Sequence, residues 1–124
     1  TPIVKGTSGS GIFSIVFRNQ LHGTIVGGNY EKPGEATNSL SFSRDGAKTW
    51  YKGEGLGGYR SAVAYIDDRT TIAVGTNGTD ISYDRGGTWE TMGDENLNAV
   101  AAKGKNSVWA VGPRGAVYRL SHTK

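Results

Sequence analysis

Apolar and polar positions alternate in short runs along the chain, with a period of two rather than 3.6. Ile12-Phe13-Ser14-Ile15-Val16-Phe17, Leu40-Ser41-Phe42-Ser43, Ser61-Ala62-Val63-Ala64-Tyr65 and Ala116-Val117-Tyr118-Arg119-Leu120 carry the pattern. β-Branched and aromatic residues are enriched in them, as on the faces of half-buried strands. No window of useful length carries helical periodicity, and glycine interrupts almost every stretch of ten. Asn77-Gly78 is a tight-hairpin signal. The chain reads as all-β, in short strands at regular spacing.

Internal repeats set the expected architecture. Thr24-Ile25-Val26-Gly27, Ile72-Ala73-Val74-Gly75 and Trp109-Ala110-Val111-Gly112 share a pattern, and their glycines lie 48 and 37 residues apart. A strand precedes each one. A second series is sharper. Ser43-Arg44-Asp45-Gly46-Ala47-Lys48-Thr49-Trp50 matches Ser82-Tyr83-Asp84-Arg85-Gly86-Gly87-Thr88-Trp89, 39 residues later, as S-x-D-x-x-x-T-W. A repeat of about 40 residues with four short strands marks a β-propeller blade. Numbered from the axis outward, strands a to d are expected near 12–18, 22–28, 38–43 and 48–53, then near 59–66, 70–75, 79–83 and 87–92. A third set falls near 96–102, 106–111 and 115–120. Residues 11–53, 58–92 and 96–120 thus form three blades, the last without its outer strand. Ile3 falls on Trp50 when shifted by 47, so residues 1–6 are expected to be the outer strand of a neighbouring blade. The sum is three blades' worth of antiparallel strands, half of a six-bladed propeller.

Both octapeptides resemble the Asp box, S-x-D-x-G-x-T-W, of sialidases and other BNR-repeat propellers. The second fits fully; the first has Ala47 at the preferred glycine, with Gly46 one place earlier. With the A-V-G repeats, the chain most resembles the photosystem II assembly and stability factor family and related bacterial BNR-repeat proteins, some labelled oxidoreductases. The resemblance implies a propeller and an extracytoplasmic location. For the boxes it implies a structural role: Ser43, Asp45, Thr49 and Trp50, and Ser82, Asp84, Gly86, Thr88 and Trp89, closing hairpin turns. Asp accepts hydrogen bonds from turn N–H groups, glycine permits positive φ, and Trp packs back between sheets. Trp50 and Trp89 are expected to be largely buried and equivalent. A calcium loop needs more oxygens at alternate positions, and Arg44, Lys48 and Arg85 have the wrong charge for one.

Composition narrows the chemistry. The 124 residues include 20 glycines, more than twice the usual share of about 7%, yet only three prolines, which excludes collagen. Hydrophobic residues at 35% suffice for a core and argue against disorder. There is no cysteine, so disulfides, thiolate ligation and thiol catalysis are excluded. Only His22 and His122 are available to a histidine metal site, and no metal or cofactor is expected. The net charge of +3 is scattered, densest at Lys103-Gly104-Lys105, without the basic stripe that nucleic acid requires. No run approaches the roughly 18 apolar residues of a membrane span. No signal peptide is visible, and the chain opens on Thr1 rather than Met, as a mature, processed or excised segment does.

Antiparallel strands alternate direction, so the c–d turns share one face with the a–b loops, and the d–a and b–c loops share the other. In sialidase-like propellers the second face carries the active site. Tyr30, Tyr59, Arg60, Asn96 and Arg114 fall on it and are the candidate ligand-binding residues, with Glu31, Lys32 and Glu35 in the long first-blade loop. Arg60 opens an innermost strand beside Gly57-Gly58, where a guanidinium suits a carboxylate or phosphate. Its alternative is a bond to loop carbonyls, Asp67 or Asp68. Tyr30 and Tyr59 either stack on a sugar or pack their loops. Phe13, which aligns with Arg60, reads as core, and Glu31 and Glu35 as a solvated face. Glycoside hydrolysis needs paired carboxylates, or a Tyr nucleophile with an acid. No such pair is identifiable, and the sialidase Arg-Ile-Pro signature is missing. The leading expectation is a non-catalytic propeller that binds a protein or small ligand, carbohydrate included, through its loop face. The alternative is part of a sialidase-like glycoside hydrolase with its other catalytic residues elsewhere. Three blades do not close a ring, so the partner is either a second copy, in a homodimer that completes six blades by strand exchange, or a missing N-terminal half.

Overall fold

The computed structural model describes residues 1–104 and 106–121; His122 and Lys105 lie outside the described residues. The strands are β1 (Ser10–Phe17), β2 (Gly23–Asn29), β3 (Leu40–Ser43), β4 (Tyr51–Gly53), β5 (Ala62–Tyr65), β6 (Thr71–Gly75), β7 (Gly78–Ser82), β8 (Glu90–Gly93), β9 (Ala99–Ala102), β10 (Val108–Val111) and β11 (Val117–Arg119). They form three antiparallel sheets in the orders β1-β2-β3-β4, β5-β6-β7-β8 and β9-β10-β11. Each sheet is a blade with its strands in sequence order, and its edges fall within a few residues of expectation. The β6–β7 hairpin pairs Gly75 with Gly78, so its turn is Thr76-Asn77 rather than Asn77-Gly78.

The core lies between blades, not within them. Val26, Leu40, Leu56, Val63 and Ala73 form one layer between blades one and two. Ala64, Ile66, Ile72, Ile81 and Val108 form the next, between blades two and three, and Val74, Leu97 and Ala110 extend it. Val63 and Ala64, adjacent in β5, face opposite layers, as the period of two requires. Burying a side chain such as Ile72 contributes about 1.5–3 kcal/mol.

The A-V-G glycines explain how blades are set side by side. A Cβ on Gly27, Gly75 or Gly112 would collide with the backbone carbonyl of Gly11, Tyr59 or Asn96, where strand a of the same blade passes closest. Only glycine admits that approach. The carbonyls of Gly27 and Gly75 then accept from the next blade's first strand: Arg60 N–H at 2.9 Å and Leu97 N–H at 3.1 Å. One repeated residue serves both the blade and its junction.

Two expectations are corrected. Residues 2–5 are not a strand; Ile3 is buried and Val4 N–H donates to the Asn38 carbonyl at 3.0 Å. An outer strand needs a ladder partner, and here the segment lies along the b–c loop of blade one instead. Trp50 and Trp89 are half-buried rather than largely buried, and their settings differ. Trp50 meets Phe17 edge to face at 6.3 Å, whereas Trp89 packs on the layer between blades one and two. Both precede rim strands, which leaves part of each indole open.

Candidate functional site

The d–a and b–c loop face begins with an irregularity in β1. Ile12 pairs with Gly27 and Ser14 with Val26, so Phe13 is the extra residue of a β-bulge. Bulges re-aim a side chain, and Phe13 is turned outward, 41% exposed. That corrects its assignment to the core. Tyr30 is anchored by its N–H to the Gly9 carbonyl at 3.0 Å, and Tyr59 by its N–H to the Pro33 carbonyl at 3.0 Å. The Phe13 ring stands edge to face with Tyr59 at 4.9 Å and with Tyr30 at 6.2 Å. Tyr59 is 5% exposed and Tyr30 51% exposed, so the trio runs from a buried base to an open tip. Burial pushes the Tyr59 hydroxyl above its ordinary value, with Ser61 opposing and Tyr30 assisting. The long loop beyond Tyr30 is ordered by turns: Lys32 N–H to Asn29 O and Glu35 N–H to Lys32 O, both 3.0 Å. Glu31 and Glu35 are exposed, and Glu35 lies 3.9 Å from Lys32 Nζ.

Arg60 is held inside the fold rather than offered on that face. Its side chain is 2% exposed. Nε donates to Asp80 Oδ2 at 2.9 Å, and Nη1 donates to the Tyr59 carbonyl at 2.8 Å and to Asn77 Oδ1 at 2.7 Å. Nη2 pairs with Asp80 Oδ2 at 2.7 Å, and Gly57 N–H adds a bond to the same oxygen at 2.9 Å. The partner is thus Asp80, with loop acceptors, and neither Asp67 nor Asp68. Glycine makes the room: a Cβ on Gly57 would meet Nη2 at 3.0 Å, and one on Gly75 would meet Cδ at 3.2 Å. The guanidinium therefore turns inward along a channel that side chains would fill.

Asn96 and Arg114 come together at blade three. They line a cleft of about 440 Å³ with Glu95, Pro113, Ala116 and Tyr118, and none of the aromatic trio takes part. Arg114 sits in the left-handed region, φ 60°, in the turn between β10 and β11. The five sequence candidates thus separate into an aromatic group, a buried pair and a second cleft.

The two S-x-D-x-x-x-T-W turns occupy the opposite face. Ser43 Oγ donates to Asp45 Oδ1 at 3.0 Å and accepts from Ala47 N–H at 3.0 Å, while Thr49 N–H donates to Asp45 Oδ1 at 2.9 Å. Ser82, Asp84, Gly86 and Thr88 repeat these bonds at 2.9, 2.8 and 2.8 Å. Thr88 Oγ1 adds a donation to Asp84 Oδ2 at 2.7 Å, and Trp89 Nε1 donates to the Gly86 carbonyl at 3.1 Å. Hydrogen bonds from Thr49 hold the Asp45 carboxyl below its ordinary value, and those from Thr88 do the same for Asp84. Positive φ occurs at Gly46 and Ala47 in one turn and at Arg85 and Gly86 in the other. Each turn needs two left-handed residues and supplies glycine to a different one of them, which accounts for the shifted glycine of the first copy. Gly46 N–H donates to the Leu21 carbonyl and Arg85 N–H to the Arg69 carbonyl, so each turn is tied to its blade's a–b loop.

No family model matches the chain, and no curated protein matches it. Among solved structures it is similar to "YCF48 bound to D1 peptide", with a TM-score of 0.71 and 21% identity. The fold is a β-propeller. The match covers 87% of this chain and 36% of that one, so the chain spans little more than a third of the solved protein's length.

Proposed function

We propose that this chain is part of a non-catalytic propeller scaffold that takes an extended peptide on its d–a and b–c loop face. The observation that carries the reading is the Phe13–Tyr30–Tyr59 group: rigid aromatics fixed by backbone bonds, projected by a bulge, with two rings substantially open. Such rings supply contact area at small entropic cost and dominate binding surfaces. The solved propeller of similar fold was captured with a peptide, which supports the class of partner. On this reading the S-x-D-x-x-x-T-W turns are Asp boxes of a BNR-type repeat that hold the scaffold rather than bind. The scaffold reading includes further blades, from a second copy or from more chain, that cover Ile12, Ile15 and Phe17 of β1 and the open side of blade three, and leave the bulged Phe13 on the loop face.

The D1 peptide of that solved complex is the first probe, followed by a displayed peptide library if it does not bind. Tyr30→Ala and Phe13→Ala should each weaken the selected peptide by about tenfold, the equivalent of 1.4 kcal/mol, with unchanged circular dichroism. Full affinity in both variants would overturn the assignment to this face. Light scattering on the purified chain reports closure by a second copy as twice 13.1 kDa.

A further inference from the structure

On the opposite face, between the first two blades, lies a cleft of about 320 Å³ bordered by both S-x-D-x-x-x-T-W turns. Arg18, Arg44 and Arg85 reach its lining from three different segments, with Phe42, Tyr65 and Asp84. The guanidiniums are fixed by different means. Asp68 divides its carboxylate between two of them: Oδ1 accepts from Arg18 Nη1 at 2.8 Å and Oδ2 from Arg85 Nη2 at 2.9 Å. Arg44 lies over two rings, its Cζ 5.2 Å from the Phe42 centroid and 5.7 Å from that of Tyr51. Among the described residues Arg44 has no ion pair. The floor is braced across the blades by Tyr65 Oη and Thr24 Oγ1, 2.8 Å apart.

We propose that this cleft binds a carboxylate carried on a flat apolar body, with the Arg44 guanidinium as its principal partner. Three guanidiniums stand against two carboxylates, Asp68 and Asp84, which leaves one positive charge in excess. Both Asp84 oxygens are engaged by its own turn, so neither pairs directly with Arg44. The ring faces hold the Arg44 cation without accepting its N–H bonds, which leaves the guanidinium fork for an acceptor, and a fork matches a planar carboxylate bidentately. A phosphate dianion fits less well, because one excess positive charge balances a carboxylate and leaves half of a dianion's charge uncompensated. Phe42 and Tyr65 offer ring surface to an aryl or alkyl group beside the anion. The volume lies at the small end of ligand pockets, which suits one side chain or one small organic acid. A free acid and an acidic residue of a partner peptide share this chemistry.

The test is amide and arginine Nε–H chemical-shift titration of the whole chain. The probes are benzoate, benzamide, inorganic phosphate, and N-acetyl-Phe-Glu amide against its Phe-Gln counterpart. Benzoate is expected to shift Arg44 and Arg85 signals saturably, and benzamide and phosphate to do so at least tenfold more weakly. Arg44→Gln removes a side chain that rests on ring faces and has no ion pair among the described residues, so the fold should persist and benzoate affinity should fall about tenfold. Lys103→Gln, an exposed charge in blade three, should change nothing. Tighter binding of the Phe-Glu probe assigns the cleft to a partner segment, and tighter binding of benzoate to a small acid; either upholds the site. Equal binding of benzoate and benzamide, phosphate binding tighter than both, or full affinity in Arg44→Gln would overturn it.

Discussion

Blades two and three are built from the same repeat, yet every residue of β6 and β7 is buried, whereas β10 alternates buried and exposed and β11 is exposed throughout. Ile72 and Trp109 hold the same repeat position; one is fully buried and the other 46% exposed. The difference is neighbours. Blade two is flanked on both sides and blade three on one. A blade does not carry its own core, and its stability is the sum of interfaces with the blades beside it. Blade two also contains a buried ion pair, which blade three lacks among the described residues. Ladder register places Leu97 and Tyr118 where blade two has Arg60 and Asp80.

That pair gives the largest expected effect. Asp80→Leu leaves the Arg60 charge buried without its partner and should cost about 3–5 kcal/mol in urea unfolding. The double variant Arg60→Met/Asp80→Leu makes blade two apolar there, as blade three is at Leu97. It should recover more than half of that loss. A double variant as unstable as the single would show that the ion pair itself, rather than removal of an unpaired charge, holds blade two.

Next come the two faces of the repeat. Ile72→Ala removes packing from a layer filled on both sides and should cost about 2–5 kcal/mol. Trp109→Ala, at the same repeat position, should cost less than about 1 kcal/mol, near the range of surface substitutions. Equal losses measured by thermal unfolding would mean that Trp109 is covered in solution.

The carboxylates of the turns act on a smaller scale. Asp45 and Asp84 are held low by Thr49 and Thr88, and Asp68 by Arg85 and Arg18. A carboxyl depressed in the folded state stabilises the fold above its unfolded value, about 3.9, and that contribution is lost as pH falls through the folded value. Stability should thus be level near neutrality and decline below about pH 4. Asp84→Asn should flatten part of the decline, and Thr88→Val, which removes the Oγ1 donor, should make it smaller by raising the folded value toward the unfolded one. An acid profile unchanged by both would detach the turn of blade two from stability. Because these groups are largely solvated, each effect should be modest.

The repeats made most of the fold legible. Two motif series in register gave four strands per blade and the order of the sheets, since A-V-G and S-x-D-x-x-x-T-W each answer a local steric or hydrogen-bonding demand. What depends on a neighbour was not legible. Ile3 reads as a strand residue, but a strand exists only against a partner. Phe13 reads as core because alternation cannot show a one-residue bulge. Arg60 reads as a ligand residue because its counter-ion is 20 positions away, in a strand whose alternation gave no reason to expect a buried acid. The signal that was present lies in Gly57, Gly75 and Gly78, which leave a side chain's worth of space around one arginine. The Arg18–Arg44–Arg85 cleft takes Arg44 and Arg85 from the two S-x-D-x-x-x-T-W turns, but the repeat does not show that they meet, as the cleft forms only when blades one and two lie side by side.

The smallest expected effect bears on how far the contrast between blades survives in solution. Val117 in β11 is 64% exposed, and among the described residues β11 pairs with β10 alone. In the single chain, Val117→Thr exchanges a methyl for a hydroxyl in water, at a site where both residues suit a strand. Stability should change by no more than about 0.5 kcal/mol. An open strand edge of this kind invites pairing, and a strand or blade laid over it would bury Val117. The hydroxyl would then be desolvated, and the loss would rise toward about 1–3 kcal/mol if it found no acceptor. The two cases separate cleanly in unfolding at a tenfold range of protein concentration. A small loss at every concentration keeps blade three open as drawn. A larger loss that grows with concentration identifies a second copy as the cover, because only association links stability to concentration.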